Sequence, residues 1–121
     1  MSRTSPLLLV IDDDPAIREL LSRELSLVGY ETVSAADGIQ GREMFERHRP
    51  DLVITDLDMP TMDGVQEILR IRMTNPAAKF ICMTGGSPDR CPMGVPVVTK
   101  PFAMGEFLAC VKEQLRTQTR R

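Results

Sequence analysis

The sequence predicts an α/β fold: a doubly wound, five-stranded parallel sheet with helices on both faces. Three observations lead there. Short apolar runs alternate along the chain with longer stretches whose apolar residues recur at helical spacing. Two of those runs, Leu7–Ile11 and Leu52–Thr55, hold almost no polar residue, the pattern of strands buried on both faces. The 121 residues, 42% apolar and 26% charged, are enough for one domain with a substantial core.

The elements follow in order. Leu7–Ile11 is the first strand and stops at three acids, Asp12, Asp13 and Asp14. Pro15 suits the first position of a helix carrying Ile17, Leu20, Leu21, Leu25 and Val28, and Gly29 suits its end. Tyr30–Ala35 alternates as a second strand, and Asp37 suits the N-cap of a helix that holds Met44 and Phe45 and runs toward Pro50. Leu52–Thr55 is the third strand. Asp63-Gly64 opens a third helical pattern with Val65, Ile68, Leu69 and Ile71 inward, ended by Asn75-Pro76. Lys79–Thr84 and Val95–Thr99 read as the fourth and fifth strands. Met104, Phe107, Leu108, Val111 and Leu115 then form the apolar face of a last helix. No linker or repeat interrupts the pattern, so residues 1–121 read as a single domain, with a core of about 6–116 and a flexible tail over 117–121.

Composition removes several function classes. A net charge of −2 argues against nucleic-acid binding by bulk electrostatics, and the closing TQTRR reads as a solvated end. The five-residue run Leu7–Ile11 is far too short for a signal-peptide core or a membrane span, so no membrane insertion is expected. Cys82, Cys91 and Cys110 are odd in number and lack metal-site spacing, so neither a disulfide framework nor a zinc site is indicated, and reduced thiols in a cytoplasm are the simple reading. The single histidine, His48, reads as a surface residue near a helix end rather than a catalytic base.

In doubly wound sheets the ligand site lies at the carboxyl ends of the strands. Here the first strand ends in Asp12-Asp13-Asp14, the third in Asp56, the fourth in Thr84 and the fifth in Lys100. Clustered carboxylates repel unless a cation neutralises them, and an open, partly hydrated carboxylate site suits Mg²⁺. Asp14, directly before Pro15, suits a helix N-cap, which leaves Asp12 and Asp13 for the crevice. A metal, a carboxylate, a hydroxyl and an ammonium together suit a phosphoryl group. The carboxylate acts as nucleophile and the cations offset charge on the transferring oxygens.

The segments LVIDDDPAIREL, PDLVITDLDMPTMDG, ICMTG and VVTKPF resemble, in this order and over nearly the whole chain, the receiver domains of two-component response regulators. The resemblance implies a flavodoxin-like sheet of strand order 2-1-3-4-5. It implies Asp56 as phosphoacceptor, Asp12 and Asp13 as the acidic pair around Mg²⁺, and Asp58 as donor of a backbone carbonyl to the metal. It further implies Thr84 as the switch hydroxyl and Lys100 as the phosphate-binding lysine, followed by a cis bond to Pro101. Pro60 and Gly64 shape the loop after the acceptor, and Asp63 reads as the N-cap of the next helix.

The chain departs from that family in two places. Receivers usually carry an aromatic residue three positions before the lysine, where this chain has Val97. Most also place a full helix between the threonine and the lysine, whereas here only Gly85–Thr99, 15 residues rich in Gly and Pro, lie between them. At most about one helical turn fits, so the fourth helix is expected to be shortened or absent. This is either a deletion on a tolerant surface or a rewired partner face. Asp58 is expected to project over the phosphoryl and to alter the lifetime of the phosphorylated state.

The function expected is a phosphoacceptor module of a two-component phosphorelay, not a multiple-turnover enzyme. It would receive a phosphoryl group from a histidine kinase or histidine phosphotransfer protein and signal to a downstream protein through changed contacts. With about one helix after Lys100, no output domain is expected within the chain, so it acts through a partner or is an excised domain. Two alternatives stand beside this reading. Asp56-Leu57-Asp58 also resembles the nucleophile motif of haloacid-dehalogenase-like phosphohydrolases, and a degenerate receiver would bind partners without phosphorylation.

Overall fold

In a computed structural model, which describes residues 5–59 and 64–118, five parallel strands and four α-helices alternate along the chain. They are β1 (Leu7–Ile11), α1 (Pro15–Leu27), β2 (Glu31–Ala35), α2 (Gly38–His48), β3 (Leu52–Asp56), α3 (Gly64–Thr74), β4 (Phe80–Thr84), β5 (Val97–Thr99) and α4 (Met104–Gln118). The sheet order is β2-β1-β3-β4-β5 with every pairing parallel. The fold class and strand order thus match the sequence-based expectation.

Alternation along the strands divides the core into two layers. Leu8 and Val10 of β1, Leu52 and Ile54 of β3, and Ile81 and Met83 of β4 pack with Leu21 and Leu25 of α1 and with Phe107, Val111 and Leu115 of α4. Leu9, Ile11, Val53, Phe80 and Cys82 point the other way, toward Phe45 of α2 and Ile68 and Ile71 of α3. Hence β1 and β3 carry apolar residues at successive positions, because each face needs its own set.

The helix ends obey the caps read from the sequence. Asp14 accepts from the Ala16 N–H at 2.9 Å and Asp37 from the Gln40 N–H at 2.8 Å. Gly29 takes φ +99°, a left-handed value that glycine adopts without steric cost, as the chain leaves α1. Tyr30 was expected to start the second strand. Its N–H instead donates to Leu25 O at 3.1 Å, closing the helix end, and β2 begins at Glu31. Val95 was expected to start the fifth strand, but its N–H turns back to Pro92 O at 3.1 Å and β5 begins at Val97. The expectations for Pro60 and Asp63 lie outside the described residues, as does the end of the tail.

Between β4 and β5 the chain makes a single 3₁₀ turn, Pro88–Arg90, capped by Ser87 Oγ accepting from the Asp89 N–H at 3.2 Å. The shortened connection still covers the sheet, because Val95 is buried and Cys91 and Val97 pack beside it on the α2/α3 layer. Register aligns the strand ends. Ile11 pairs with Thr55, Asp56 with Met83, and Thr84 with Thr99. One residue beyond the first of those pairs, Asp12 comes beside Asp56, and past the last pair the Lys100 N–H donates to Thr84 O at 2.8 Å.

One buried charge lies away from that edge. Glu67 of α3 is 1% exposed, and Arg42 Nε of α2 lies 2.7 Å from its Oε2. Burial raises the Glu67 pKa above the ordinary glutamate value, and the Arg42 and Arg70 charges offset this only in part. Removing the arginine strands a buried carboxylate, whereas removing both charges does not. Arg42→Ala is therefore expected to cost about 2–3 kcal/mol in urea denaturation, below the fully buried range because Arg42 is 39% exposed. Arg42→Met combined with Glu67→Met is expected to recover most of that loss; a double variant as unstable as the single one refutes the assignment.

Candidate functional site

The site stands on the carboxyl edge of the sheet. Asp12 and Asp56 are buried at the ends of β1 and β3, at 1% and 3% exposure, while Asp13 beside them is exposed. Burying two carboxylates side by side is costly unless donors or cations face them. Asp12 Oδ1 accepts from the Asp14 N–H and Asp56 Oδ1 from the Asp58 N–H, both at 2.9 Å. In each case the chain turns over its own carboxylate directly after the strand. Lys100 Nζ lies 3.2 Å from Asp56 Oδ2 and 4.0 Å from Asp12 Oδ2. The Lys100–Pro101 peptide bond is cis, as the motif implied.

The electrostatics follow from this geometry. Burial pushes the Asp12 carboxyl up from 3.8 to about 6, helped by the charges of Asp56 and Asp13 and opposed by the Asp14 N–H and Lys100. Burial acts to lower the Lys100 pKa, but Asp56 and Asp12 more than offset it and hold the ammonium above the ordinary lysine value. Among the described residues, no hydrogen-bond donor reaches the buried Asp12 Oδ2. Carboxylate oxygens of Asp12, Asp13 and Asp56 fall within 4.8 Å of one another. An orphaned buried oxygen within a triad of hard oxygen donors fits Mg²⁺, which takes carboxylates and keeps several waters.

The structure gives Thr84 and Asp58 relations that spacing did not reveal. Thr84 is fully buried at the end of β4, and its Oγ1 donates to Asp58 Oδ1 at 2.9 Å while accepting from the Gly86 N–H at 2.9 Å. Asp58 Oδ2 accepts from the Gly85 N–H at 2.7 Å. Arg90, from the 3₁₀ turn, donates Nη1 to Asp58 Oδ1 at 2.8 Å and Nη2 to Leu57 O at 2.6 Å. The Asp58 carboxylate is therefore tied to the β4 end instead of standing free above Asp56. Burial tends to raise its pKa, but the Gly85, Thr84 and Arg90 donors outweigh that and leave it below the ordinary aspartate value. Arg90 is the site-edge residue that sequence reasoning missed. An arginine in a Gly/Pro-rich loop carries no positional signal, and only the path of the loop brings it to Asp58.

All six residues singled out in the sequence, Asp12, Asp13, Asp56, Asp58, Thr84 and Lys100, thus lie at one edge of the sheet. A family model described as the response regulator receiver domain matches residues 8–112. The response regulator MprA of Mycobacterium leprae is 34% identical over 122 residues, covering 90% of this chain and 50% of that protein. The chain spans about half the length of the curated relatives it matches. Among solved structures, the response regulator TrrA of Thermotoga maritima in complex with Mg²⁺–BeF is 34% identical with a TM-score of 0.80, covering 90% of this chain and 98% of that one. The complex of histidine kinase ThkA with TrrA gives 37% identity and a TM-score of 0.81, covering 91% and 98%.

The Asp12 shift has a defined sign. Its folded pKa of about 6 lies above the unfolded value of 3.8, so the metal-free folded state binds the extra proton between them. Stability is therefore lost as pH rises from about 4 through about 6, by up to about 3 kcal/mol. In chelator, urea denaturation of the wild type is expected to show greater stability at pH 5 than at pH 7.5. Asp12→Asn is expected to flatten that difference and to be the more stable protein at pH 7.5. Parallel pH profiles for the two proteins refute the assignment.

Proposed function

Because the chain belongs to the response regulator receiver domain family, we propose that it is the phosphoacceptor module of a two-component phosphorelay, with Asp56 as the acceptor. The observation that supports this most directly is the setting of Asp56. Its carboxylate is buried at a strand end, with carboxylate oxygens of Asp12 and Asp13 within 4.8 Å and the Lys100 ammonium 3.2 Å away. That arrangement leaves a nucleophilic oxygen with positive charge beside it and a place for a hard cation.

In the proposed step an Asp56 oxygen bonds to phosphorus as the bond from phosphorus to the donor's imidazole nitrogen breaks, the electron pair leaving with that nitrogen. Asp12, Asp13 and Asp56, with the Asp58 backbone carbonyl, would hold Mg²⁺, which offsets negative charge on the transferring group. Lys100 supplies a second positive charge at the acceptor oxygen, and Thr84 supplies a hydroxyl at the neighbouring strand end. Attack of water on phosphorus later releases phosphate and restores the Asp56 carboxylate. The donor is a phosphohistidine on a kinase or phosphotransfer protein, consistent with the histidine kinase seen bound to TrrA. The output is a changed set of contacts with a downstream protein, in a cytoplasmic setting. Among the described residues no helix is long and apolar enough to cross a membrane.

The phosphohydrolase alternative asks Asp58 to act as a general acid beside Asp56. Its carboxylate instead accepts from Thr84, Gly85 and Arg90, a setting that favours its ionised form.

Intact-mass measurement after incubation with acetyl phosphate and Mg²⁺ tests the proposal. One added phosphoryl group is expected on the wild type and none on Asp56→Asn; no addition to either protein supports the degenerate alternative and sinks the acceptor role. Lys100→Ala is expected to keep the fold and to slow phosphoryl uptake by about 10²-fold, the size of losing one preorganised charge at a transferring group. Repeated turnover of a small phosphate ester would instead support the hydrolase.

A further inference from the structure

Two donors stand at the β4 end, the Thr84 O–H and the Gly85 N–H, and one carboxylate already engages both. Asp58 takes the hydroxyl on Oδ1 at 2.9 Å and the amide on Oδ2 at 2.7 Å. A planar anion that accepts two converging donors occupies them much as a phosphoryl group would. Arg90 secures it by spanning from Asp58 Oδ1 to the Leu57 carbonyl. The arginine comes from the one helical turn left in the β4–β5 connection, and its side chain is 42% exposed.

We propose that Arg90 is a positioning residue for the phosphoryl site, holding Asp58 as an internal competitor for the Thr84 hydroxyl and the Gly85 amide. This rests on the phosphoacceptor reading and extends it to regulation of the same site. Phosphorylation of Asp56 then has to displace Asp58 from Thr84 and Gly85. Displacing Asp58 also breaks its ion pair with Arg90, which removes one of the contacts that hold the Pro88–Arg90 turn at the site. The occupied site is thereby coupled to the exposed loop without any rotating aromatic ring, and Val97 has no part in the coupling. The loop that replaces a helix carries the residue that reads the site.

The pair is only partly buried, with the Asp58 side chain 33% exposed, so its effect is the modest one of a surface ion pair. Arg90→Ala is expected to raise the steady-state phosphorylated fraction-to-unphosphorylated ratio with acetyl phosphate by about three- to fivefold. Arg90→Lys, which keeps the charge and loses the two-pronged grip, is expected to fall between. The decisive comparison is a double-mutant cycle. In an Asp58→Asn background, which itself raises the ratio, Arg90→Ala is expected to add nothing. Amide hydrogen exchange of the unphosphorylated protein gives a second readout: Arg90→Ala should deprotect the Gly85 amide while leaving the β3 amides unchanged. An indifferent Arg90→Ala on a wild type that does phosphorylate, or an equal effect in both backgrounds, overturns the competition alone. No phosphoryl on any variant overturns the acceptor reading on which it rests.

Discussion

Lys100 Nζ, 3.2 Å from Asp56 and 4.0 Å from Asp12, is the interaction on which the carboxyl edge of the sheet depends. Two carboxylates are buried there within reach of each other, and a parallel sheet offers few backbone N–H groups at that edge to answer them. Turns after β1 and β3 supply one amide to each carboxylate. The remaining charge is left to the ammonium. The raised pKa of Asp12 records what the described protein leaves uncompensated. A site that remains electrostatically incomplete is well disposed to take up Mg²⁺, since binding relieves the repulsion that folding created.

That arrangement is possible because the rest of the sheet is apolar on both sides. Two layers, α1 with α4 on one face and α2 with α3 on the other, fix the strands in a single register. A slip of one residue would exchange the two apolar sets and move Asp12 and Asp56 off their common edge. Stability and function share this constraint. The shortened β4–β5 segment relaxes it only locally, since Val95, Cys91 and Val97 still cover the α2/α3 face. What the segment gives up is a helix, and what it brings to the site is Arg90.

Much of this was legible from residue order. Each strand, each helix and the caps at Asp14 and Asp37 followed from periodicity and short-range chemistry, and the misread boundaries were short. Tyr30 and Val95 were assigned to strands because their side chains are apolar. Their amide hydrogens are used by a helix end and a turn, and side-chain pattern does not report on amide partners. Glu67 was missed for a related reason, because a glutamate in an amphipathic helix reads as solvated until Arg42 of a neighbouring helix is seen 2.7 Å away.

The sequence by itself determined the residue types at four strand ends, and their order was enough to point to a carboxylate site for a metal and a phosphoryl group. These are local facts, since each acid, hydroxyl or ammonium directly follows an apolar run. Only the tertiary structure decided how those groups engage one another. Asp58 and Thr84 are 26 residues apart and Asp58 and Arg90 are 32 apart, and no periodicity spans such separations. Their meeting depends on the path of an irregular loop. In a helix or strand, geometry per residue is set by a repeating backbone, so sequence spacing becomes spatial position. Between Gly85 and Pro96 no such repeat exists beyond one turn, and position there is set by packing against the sheet.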